Sequence, residues 1–312
     1  MLRGIEYSIK VYLTKNVCFI RINLSGMNRY INCITHDASE GNLLIGNTHS
    51  ALVDCGMAFC AYYTIKKVKD ALDGRPLDFM FLTHTHYDHI GALPFFRKEW
   101  PALQTVISAI GAEILLKSTP RRVIRELSIV ASDSYGVKMD MSYSDDVFHG
   151  DIIVKEGDSI SLGGLSAEVL ETPGHTRDSI SFLIPELEML ILNETVGMML
   201  PDGKIHTAYL SSYSNTIKST EKCRLIPHKF LSLPHRGFVS IEDAAGFFDK
   251  SLAATTERYD FIMDMKSRGL NEDEMEDLFF QKFFNEVLAS LQPKEAFKTN
   301  IRAMISCTLR DS

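Results

Sequence analysis

Residues 83–89 read Thr-His-Thr-His-Tyr-Asp-His and follow directly on the apolar run Phe-Met-Phe-Leu at 79–82. Three histidines and one aspartate therefore stand within six positions at the end of a predicted strand. Imidazole nitrogens and carboxylate oxygens are the ligands that Zn²⁺ and similar first-row metals prefer. The alternative is a polar turn that is rich in histidine by chance, but the whole chain of 312 residues contains only 10 histidines. The segment therefore predicts a metal site.

The spacing H-x-H-x-D-H of residues 84–89 resembles the first metal-binding motif of the metallo-β-lactamase-fold hydrolases. Later segments follow apolar runs in the order that this superfamily uses: Glu-Thr-Pro-Gly-His-Thr at 171–176, Leu-Ile-Leu-Asn-Glu at 190–194 and Leu-Ser-Leu-Pro-His-Arg-Gly at 231–237. The resemblance extends from about Asn32 to Gly237. It implies an α/β fold, namely an αββα sandwich of two mixed β-sheets flanked by helices, here with a C-terminal helical appendage.

The resemblance also implies a site for two divalent metal ions, with zinc as the first choice and iron or manganese as alternatives. Carried over position by position, the ligands are His84, His86 and His175 for one ion, Asp88, His89 and His235 for the other, and Glu194 as a bridge between them. Asp88 would in addition orient the attacking water and transfer its proton. Asp54 matches an Asp-x-Gly corner whose carboxylate supports a ligand histidine, although a turn-forming aspartate is the alternative.

Two positions depart from the family pattern. Glu194 stands where relatives usually carry aspartate, in a Gly-Asp pair, so that an extra methylene must be absorbed by the backbone or by a different metal separation. The alternatives are a site with one metal and an ordinary exposed carboxylate. Arg236 stands where glycine is common, and its cation either weakens binding of the second metal or holds an anionic substrate group.

Candidate substrate contacts are Tyr209, Tyr213 and Arg236. The remaining histidines have no partner at ligand spacing and are expected at the surface or in loops: His36, His49, His149, His206 and His228.

Composition narrows the classes of function. The net charge of −7 argues against nucleic acid as the main partner, because phosphate binding needs a basic face. No apolar run reaches the ~18 residues of a membrane span, and Lys10, Lys15 and Arg21 interrupt the start of the chain. We therefore expect a cytoplasmic protein that binds a small-molecule substrate and no membrane, with a homodimer left open. Its six cysteines are scattered and are expected to be free, mostly buried thiols.

The chain changes character twice along its length. Strands and helices alternate up to about residue 135, and short β runs follow between 151 and 192, which predicts layered sheets. Residues 1–239 are expected to form the hydrolase domain and 240–312 a helical extension packed on it. Ser240 with Asp243 predicts the first helix start, and helices are expected from Asn271 to Leu291 and from Lys294 to Leu309. Phenylalanines between 247 and 284 indicate core packing, with a substrate-pocket wall as the alternative.

The motifs and the resemblance together imply a metal-dependent hydrolase that cleaves an ester, thioester or lactone with a hydroxide bound to a dinuclear metal centre. Length and helical appendage resemble the thioesterase and lactonase members, including the quinolone-signal-response thioesterases. Alternatives are a phosphodiesterase and a metal-bound ligand-binding or signalling protein with degenerate catalysis. A diiron redox enzyme is a further alternative, against which His86 stands, since that branch carries glutamate there. No G-x-S-x-G or P-loop segment occurs.

Overall fold

Two stacked β-sheets form the centre of the molecule, and helices cover their outer faces. The computed structural model describes residues 41–239, 242 and 244–311 in full, and only the backbone of 8–14, 17–23, 29–32 and 240. The strands of the first sheet follow in chain order: β1 (Ser8–Thr14), β2 (Val17–Asn23), β3 (Arg29–Asn32), β4 (Asn42–Ile45), β5 (Ser50–Val53), β6 (Phe79–Phe81), β7 (Gln104–Ser108) and β8 (Ile152–Val154). Neighbours from β1 to β5 are antiparallel, and neighbours from β5 to β8 are parallel.

The second sheet comes from the second half of the chain. Its strands are β9 (Ser159–Ser161), β10 (Ser166–Glu171), β11 (Ile180–Ile184), β12 (Met189–Ile191), β15 (Phe230–Leu233) and β16 (Gly237–Ser240). Between β12 and β15 in the chain, β13 (Met198–Met199) and β14 (Ile205–His206) form a separate two-stranded sheet. The order across this sheet is β16-β15-β12-β11-β10-β9. Only the β12–β15 pair is parallel, so this sheet is mixed as well.

The facing surfaces of the two sheets share one apolar core. Phe81 of the first sheet stacks on Phe182 of the second, with ring centroids 5.2 Å apart, and both rings are fully buried. Val106 and Val169 belong to the same cluster. Burying side chains of this size contributes on the order of 2 kcal/mol each relative to exposure. Hydrophobic burial between the sheets therefore holds in place the strand ends from which the site is built.

Helices complete the outer layers. Their bounds are α1 (Ala61–Leu72), α2 (Tyr87–Ile90), α3 (Leu93–Glu99), α4 (Ala109–Leu115), α5 (Ser118–Ser134), α6 (Tyr213–Leu225), α7 (Phe247–Ser267), α8 (Glu272–Phe283), α9 (Glu286–Leu291) and α10 (Lys294–Asp311). Val68 and Phe96 cover the first sheet, and Cys223 and Phe247 cover the second. The prediction of an αββα sandwich with a C-terminal helical region is confirmed.

The helices α7 to α10 share an apolar cluster of their own with the segment that precedes α6. Ile262, Phe279 and Phe297 lie at its centre, and Leu200 and Tyr209 join it from the earlier part of the chain. The phenylalanines of α7 and α8 thus form core, as the packing interpretation predicts. The division of the chain at 239 and 240 stays a prediction.

Two predicted helix bounds are wrong. Ser240 ends strand β16, and the helix begins only at Phe247, after Gly246 in the left-handed conformation (φ 70°); Asp243 lies outside the described residues. The helix from Asn271 is interrupted after Phe283, because the Asn285 side chain accepts a hydrogen bond from Leu288 N at 3.0 Å and starts a new helix.

The capping box predicted at the start of α8 is present. Asn271 and Glu274 form the expected capping box, with bonds of 3.0 and 2.9 Å. Cys55, Cys60, Cys223 and Cys307 are buried and form no disulfide, while Cys18 and Cys33 lie outside the residues whose side chains are described. Among the described residues, none of the helices combines the length and hydropathy that a membrane span needs.

Candidate metal centre

The predicted ligands meet at one edge of the sandwich. Strands β5, β6 and β7 are parallel, so their carboxyl ends lie side by side, and the histidine segment 84–89 follows β6 there. Segments after β10, β12 and β15 bring the later residues to the same edge. The ligand atoms form two groups of four that share Glu194, each with all its atoms within 4.8 Å of one another: His84, His86, His175 and Glu194, and Asp88, His89, Glu194 and His235.

Glu194 lies between the two groups. Its Oε2 atom is 3.0 Å from His175 Nε2 and 3.3 Å from both His84 Nε2 and His89 Nε2. Its Oε1 atom is 3.1 Å from His235 Nε2. The longer side chain therefore reaches both groups, which is the arrangement that a bridging carboxylate needs.

The remaining members close the two groups. His86 Nδ1 is 3.2 Å from His175 Nε2, so these nitrogens face each other. Asp88 Oδ2 lies 3.9 Å from His89 Nε2 and 3.9 Å from His235 Nε2. Asp88 thus stands farther back than Glu194, with room between its carboxylate and the imidazoles.

In three histidines the hydrogen bond made by Nδ1, on the outside of the centre, determines that Nε2 points inward. His175 Nδ1 donates to Ala208 O at 2.7 Å, and His89 Nδ1 donates to the Asp54 carboxylate at 2.8 Å. His84 Nδ1 is 3.1 Å from Thr83 Oγ1, whose own hydrogen is given to Asp54 at 2.7 Å. Each neutral ring therefore carries its hydrogen on Nδ1 and turns the Nε2 lone pair inward, as metal-binding histidines do.

Three of the inward atoms have no hydrogen-bond partner, although they are buried. These are His84 Nε2, His89 Nε2 and Glu194 Oε2. An orphaned buried polar atom costs ~1–3 kcal/mol, and more when it is charged. A cation among these atoms would receive all their lone pairs, so the donor set fits a divalent metal ion.

Charges and burial set the protonation of the centre. Burial lowers the pKa of His84 well below 6.5 and also lowers that of His86. Burial opposes ionisation of Glu194, but His175 and His235 outweigh it and hold the carboxyl pKa well below 4.5. The Glu194 carboxyl group is therefore ionised, as cation binding requires.

The other three histidines have raised pKa values. Burial lowers the pKa of His89, but the charges of Asp88 and Asp54 outweigh it. Burial also lowers the pKa of His175 and of His235, but the charge of Glu194 outweighs it. The pKa of His175 is raised, and that of His235 is raised to about 8. Without a metal these imidazoles hold protons, which a cation would have to displace.

His235 has a strained backbone. It occupies the left-handed region at φ 56°, in the tight connection where Leu233 of β15 pairs with Gly237 of β16. This conformation costs a residue other than glycine about 1 kcal/mol or more. The strain turns the imidazole toward Glu194 instead of along the strand.

Asp54 lies against a predicted ligand, as expected. Besides meeting His89, its carboxylate accepts a hydrogen bond from Thr83 N at 2.9 Å. Its backbone is left-handed (φ 56°), and its own N–H is bonded to Phe81 O at 2.9 Å, which turns the side chain from β5 toward the end of β6. The ligand roles themselves stay predictions.

The three candidate substrate contacts have different surroundings. Arg236 is exposed beside His235. Tyr213 is half-buried and stacks on Tyr259, with ring centroids 3.9 Å apart. The prediction for Tyr209 is wrong, because its side chain is fully buried and its hydroxyl lies 3.0 Å from Thr308 Oγ1 of α10.

Sequence reasoning missed two buried polar residues near the centre. Asp178 accepts a hydrogen bond from Thr85 N at 2.9 Å and so holds the loop between the first two histidines. Its one sequence signal is an acidic residue two positions before the apolar strand β11. His206, expected at the surface or in a loop, is instead buried against Phe297 of α10. Burial, followed by the charge of Arg258, lowers the pKa of His206 to about 3.

Fold and site together define an α/β sandwich with a histidine and carboxylate cluster at its strand ends. Residues 42–235 match the family model of the metallo-beta-lactamase superfamily. This match covers more than half of the chain, which therefore belongs to that superfamily. The resemblance read from the sequence motifs is confirmed.

Several relatives are known by activity or by structure. A hydroxyacylglutathione hydrolase of Rhodopseudomonas palustris (strain BisB5) is 25% identical over 209 residues, which are 65% of this chain and 63% of the hydrolase. A nitric oxide reductase of Moorella thermoacetica is 28% identical over 165 residues, 52% of this chain and 35% of the reductase. A metallo-beta-lactamase family protein from Thermus thermophilus has the same fold, with a TM-score of 0.60 at 17% identity over 87% of each chain. The chain spans less than two thirds of the length of either curated relative.

Proposed function

We propose that this protein is a metal-dependent hydrolase that binds two divalent cations, zinc in the first place, and cleaves a small-molecule ester, thioester or lactone. The observation that carries the proposal is the pair of four-residue groups sharing Glu194, with three buried ligand atoms that lack any other partner. His84, His86 and His175 would hold one cation, Asp88, His89 and His235 the other. When bound, such cations ionise a water near neutral pH and polarise a substrate carbonyl.

The exposure of the ligands gives the direction from which substrate approaches. The side chains of His84, His89 and His175 are 0, 6 and 3% exposed and form the floor. Asp88, Glu194 and His235 are 19, 20 and 13% exposed and face the opening. Asp88, whose carboxylate is 3.9 Å from His89 Nε2 and His235 Nε2, would hold a water and take up its proton.

The activity of the Rhodopseudomonas relative supports the thioester class. That protein is named as a hydrolase of an acylglutathione, which is a thioester. Arg236, exposed next to His235 at the open side, is suited to bind an anionic group of the substrate. Both points concern substrate choice and leave the metal chemistry the same.

A binding or signalling protein with degenerate catalysis is the second candidate. The observations that favour it are the two departures from the family pattern, Glu194 and Arg236. It shares the metal site with the hydrolase and differs in predicting ligand binding without turnover.

Metal analysis joined to a hydrolysis panel tests the proposal. We expect about two metal ions per chain, and hydrolysis of at least one ester, thioester or lactone that stops when the metals are removed. His86→Ala should lose metal and activity together, whereas the control His49→Ala, at an exposed histidine outside the centre, should change neither. Full hydrolysis by metal-free protein would refute the proposal, and metal binding without any hydrolysis would favour the second candidate. Iron content with an absorption band in the visible range would favour the redox alternative.

A further inference from the structure

We infer that Asn193 is a positioning residue for Glu194. Hydrogen bonds of its side chain fix the position of the turn that carries Glu194. From that position a glutamate side chain reaches both groups of histidines, whereas an aspartate side chain would be too short. The inference rests on the proposed metal centre, because it concerns how the bridging carboxylate is placed.

The Asn193 side chain is buried and every polar atom of it is bonded. Its Nδ2 atom lies 2.6 Å from Thr172 Oγ1, 2.9 Å from Ile180 O and 3.2 Å from Ser181 Oγ. Its Oδ1 atom accepts from Thr195 N at 2.8 Å. The partners fix the amide orientation, since Ile180 O can only accept and Thr195 N can only donate. A fully bonded buried amide of this kind makes the surrounding backbone rigid.

Thr195 extends the network to the second ligand loop. Its hydroxyl donates to Thr172 O at 2.7 Å and accepts from His175 N at 3.1 Å. The turn 194–196 is thereby bonded to the end of β10 and to the loop that carries His175. Asn193 and Thr195 together set the spacing between the backbones that present Glu194 and His175.

Close packing leaves little space on the Gly174 side of this turn. A Cβ atom at Gly174, whose φ is 149°, would come within 2.8 Å of Thr195 Cγ2 and 2.2 Å of Thr216 Oγ1. The loop before His175 therefore already touches the turn with no space for a methyl group. What bonds the turn to β11 is the Asn193 side chain, through Ile180 O and Ser181 Oγ.

On this fixed backbone the length of the side chain matters. Glu194 reaches His175 and His235 at 3.0 and 3.1 Å. An aspartate at the same position would end about one carbon–carbon bond, ~1.5 Å, short of these contacts. Glutamate therefore fits because Asn193 holds the turn back, and aspartate would need a turn that is free to advance.

A double-mutant cycle tests the inference. We compare the wild type, Asn193→Gly, Glu194→Asp and the double variant by competition for Zn²⁺ against a chromophoric chelator, and by thermal unfolding of the metal-free proteins. We expect Zn²⁺ affinity to fall ~10-fold in Asn193→Gly and ~100-fold in Glu194→Asp. The double variant should bind at least ~10-fold more tightly than Glu194→Asp, because glycine frees the turn.

Asn285→Gly is the matched control. Asn285 also caps a helical segment with its side chain but lies at the start of α9, so its loss should lower the unfolding temperature and leave Zn²⁺ affinity unchanged. If Asn193→Gly does not fold, Asn193→Ser takes its place, since serine can still cap Thr195 N but is too short to bond β11.

The outcomes separate this inference from the proposed function. Losses that simply add in the double variant would overturn the role of Asn193, as would an Asn193→Gly protein that behaves like Asn285→Gly. A wild-type protein that binds no Zn²⁺ at all would instead overturn the metal centre itself.

Discussion

The candidate metal centre and the C-terminal helices both bury charged side chains, but in different surroundings. Glu276 of α8 is buried and forms ion pairs with Arg302 and with Lys298, the latter at 3.1 Å. In the centre, His84 Nε2, His89 Nε2 and Glu194 Oε2 make no hydrogen bond, whereas Glu194 Oε1 lies 3.1 Å from His235 Nε2. Glu276 is thus paired with cations of its own region, whereas the proposed function assigns a bound cation to the centre.

The difference shows where each region obtains its stability. Helices α7 to α10 enclose an apolar cluster, so burial of their own side chains stabilises them. The centre assembles five histidines and two carboxylates from distant segments, which is unfavourable until a cation compensates them. The two regions should therefore respond differently to metal, to mutation and to pH.

The largest expected effect is the stabilisation of the fold by metal. A ligand present at about 1,000 times its dissociation constant stabilises the folded state by ~4 kcal/mol. We expect thermal unfolding of the metal-free protein to shift upward on addition of Zn²⁺, and the shift to vanish in Glu194→Gln, which removes the shared charge. Arg302→Ala, in the helical region, should retain the shift. An equal Zn²⁺ shift in Glu194→Gln would show that the ion binds elsewhere.

The sequence predicted the centre better than its surroundings, for a physical reason. Strand ends deliver side chains to a defined edge, so the residues after the runs at 79–82, 190–192 and 231–233 could be placed before the structure was known. Burial of Tyr209 and His206 depends on α7 and α10 packing over them, which no local pattern reports. The helix 213–225 was missed because its sequence is mostly polar.

The helix start after Ser240 shows the same limit in another way. A serine with an acidic residue three positions later is a common start signal, but pairing of β16 with β15 extends the strand through Ser240. Long-range strand pairing thus overrides the local signal.

A smaller effect is expected at Tyr209, which was predicted to contact substrate and is buried instead. Tyr209→Phe removes the bond to Thr308 Oγ1, while Thr308 keeps its bond to Met304 O at 2.8 Å. We expect the free energy of unfolding to fall by about 1 kcal/mol in urea denaturation. The Zn²⁺ affinity and the KM for any substrate found should not change. A large rise in KM would restore Tyr209 as a substrate contact and weaken the distinction between the two regions.

The ion pairs of Glu276 in the helical region should contribute less to the free energy of unfolding than the Tyr209 hydrogen bond. Glu276→Gln removes the ion pairs to Arg302 and Lys298, of which Arg302 is largely exposed. We expect a loss of ~0.5 kcal/mol at neutral pH, close to the value of surface pairs. Zn²⁺ affinity serves as the control and should equal that of the wild type. A loss of metal binding would mean that the helical region and the centre are coupled.

The smallest expected effect is the pH dependence of the difference in unfolding free energy between wild type and Glu276→Gln. Burial opposes ionisation of Glu276, but Arg302 and Lys298 outweigh it and hold its pKa below 4.5. A carboxyl group with a depressed folded-state pKa stabilises the protein above its unfolded pKa and loses this contribution as the pH falls through the folded value. The difference in unfolding free energy between wild type and Glu276→Gln should therefore be constant above about pH 5 and disappear in more acidic solution. Metal-free protein must be used, so that protonation of the histidines does not enter through metal release, and both proteins share those histidines. A difference that grows on acidification would contradict the pairing of Glu276 and remove the contrast between the helices and the centre.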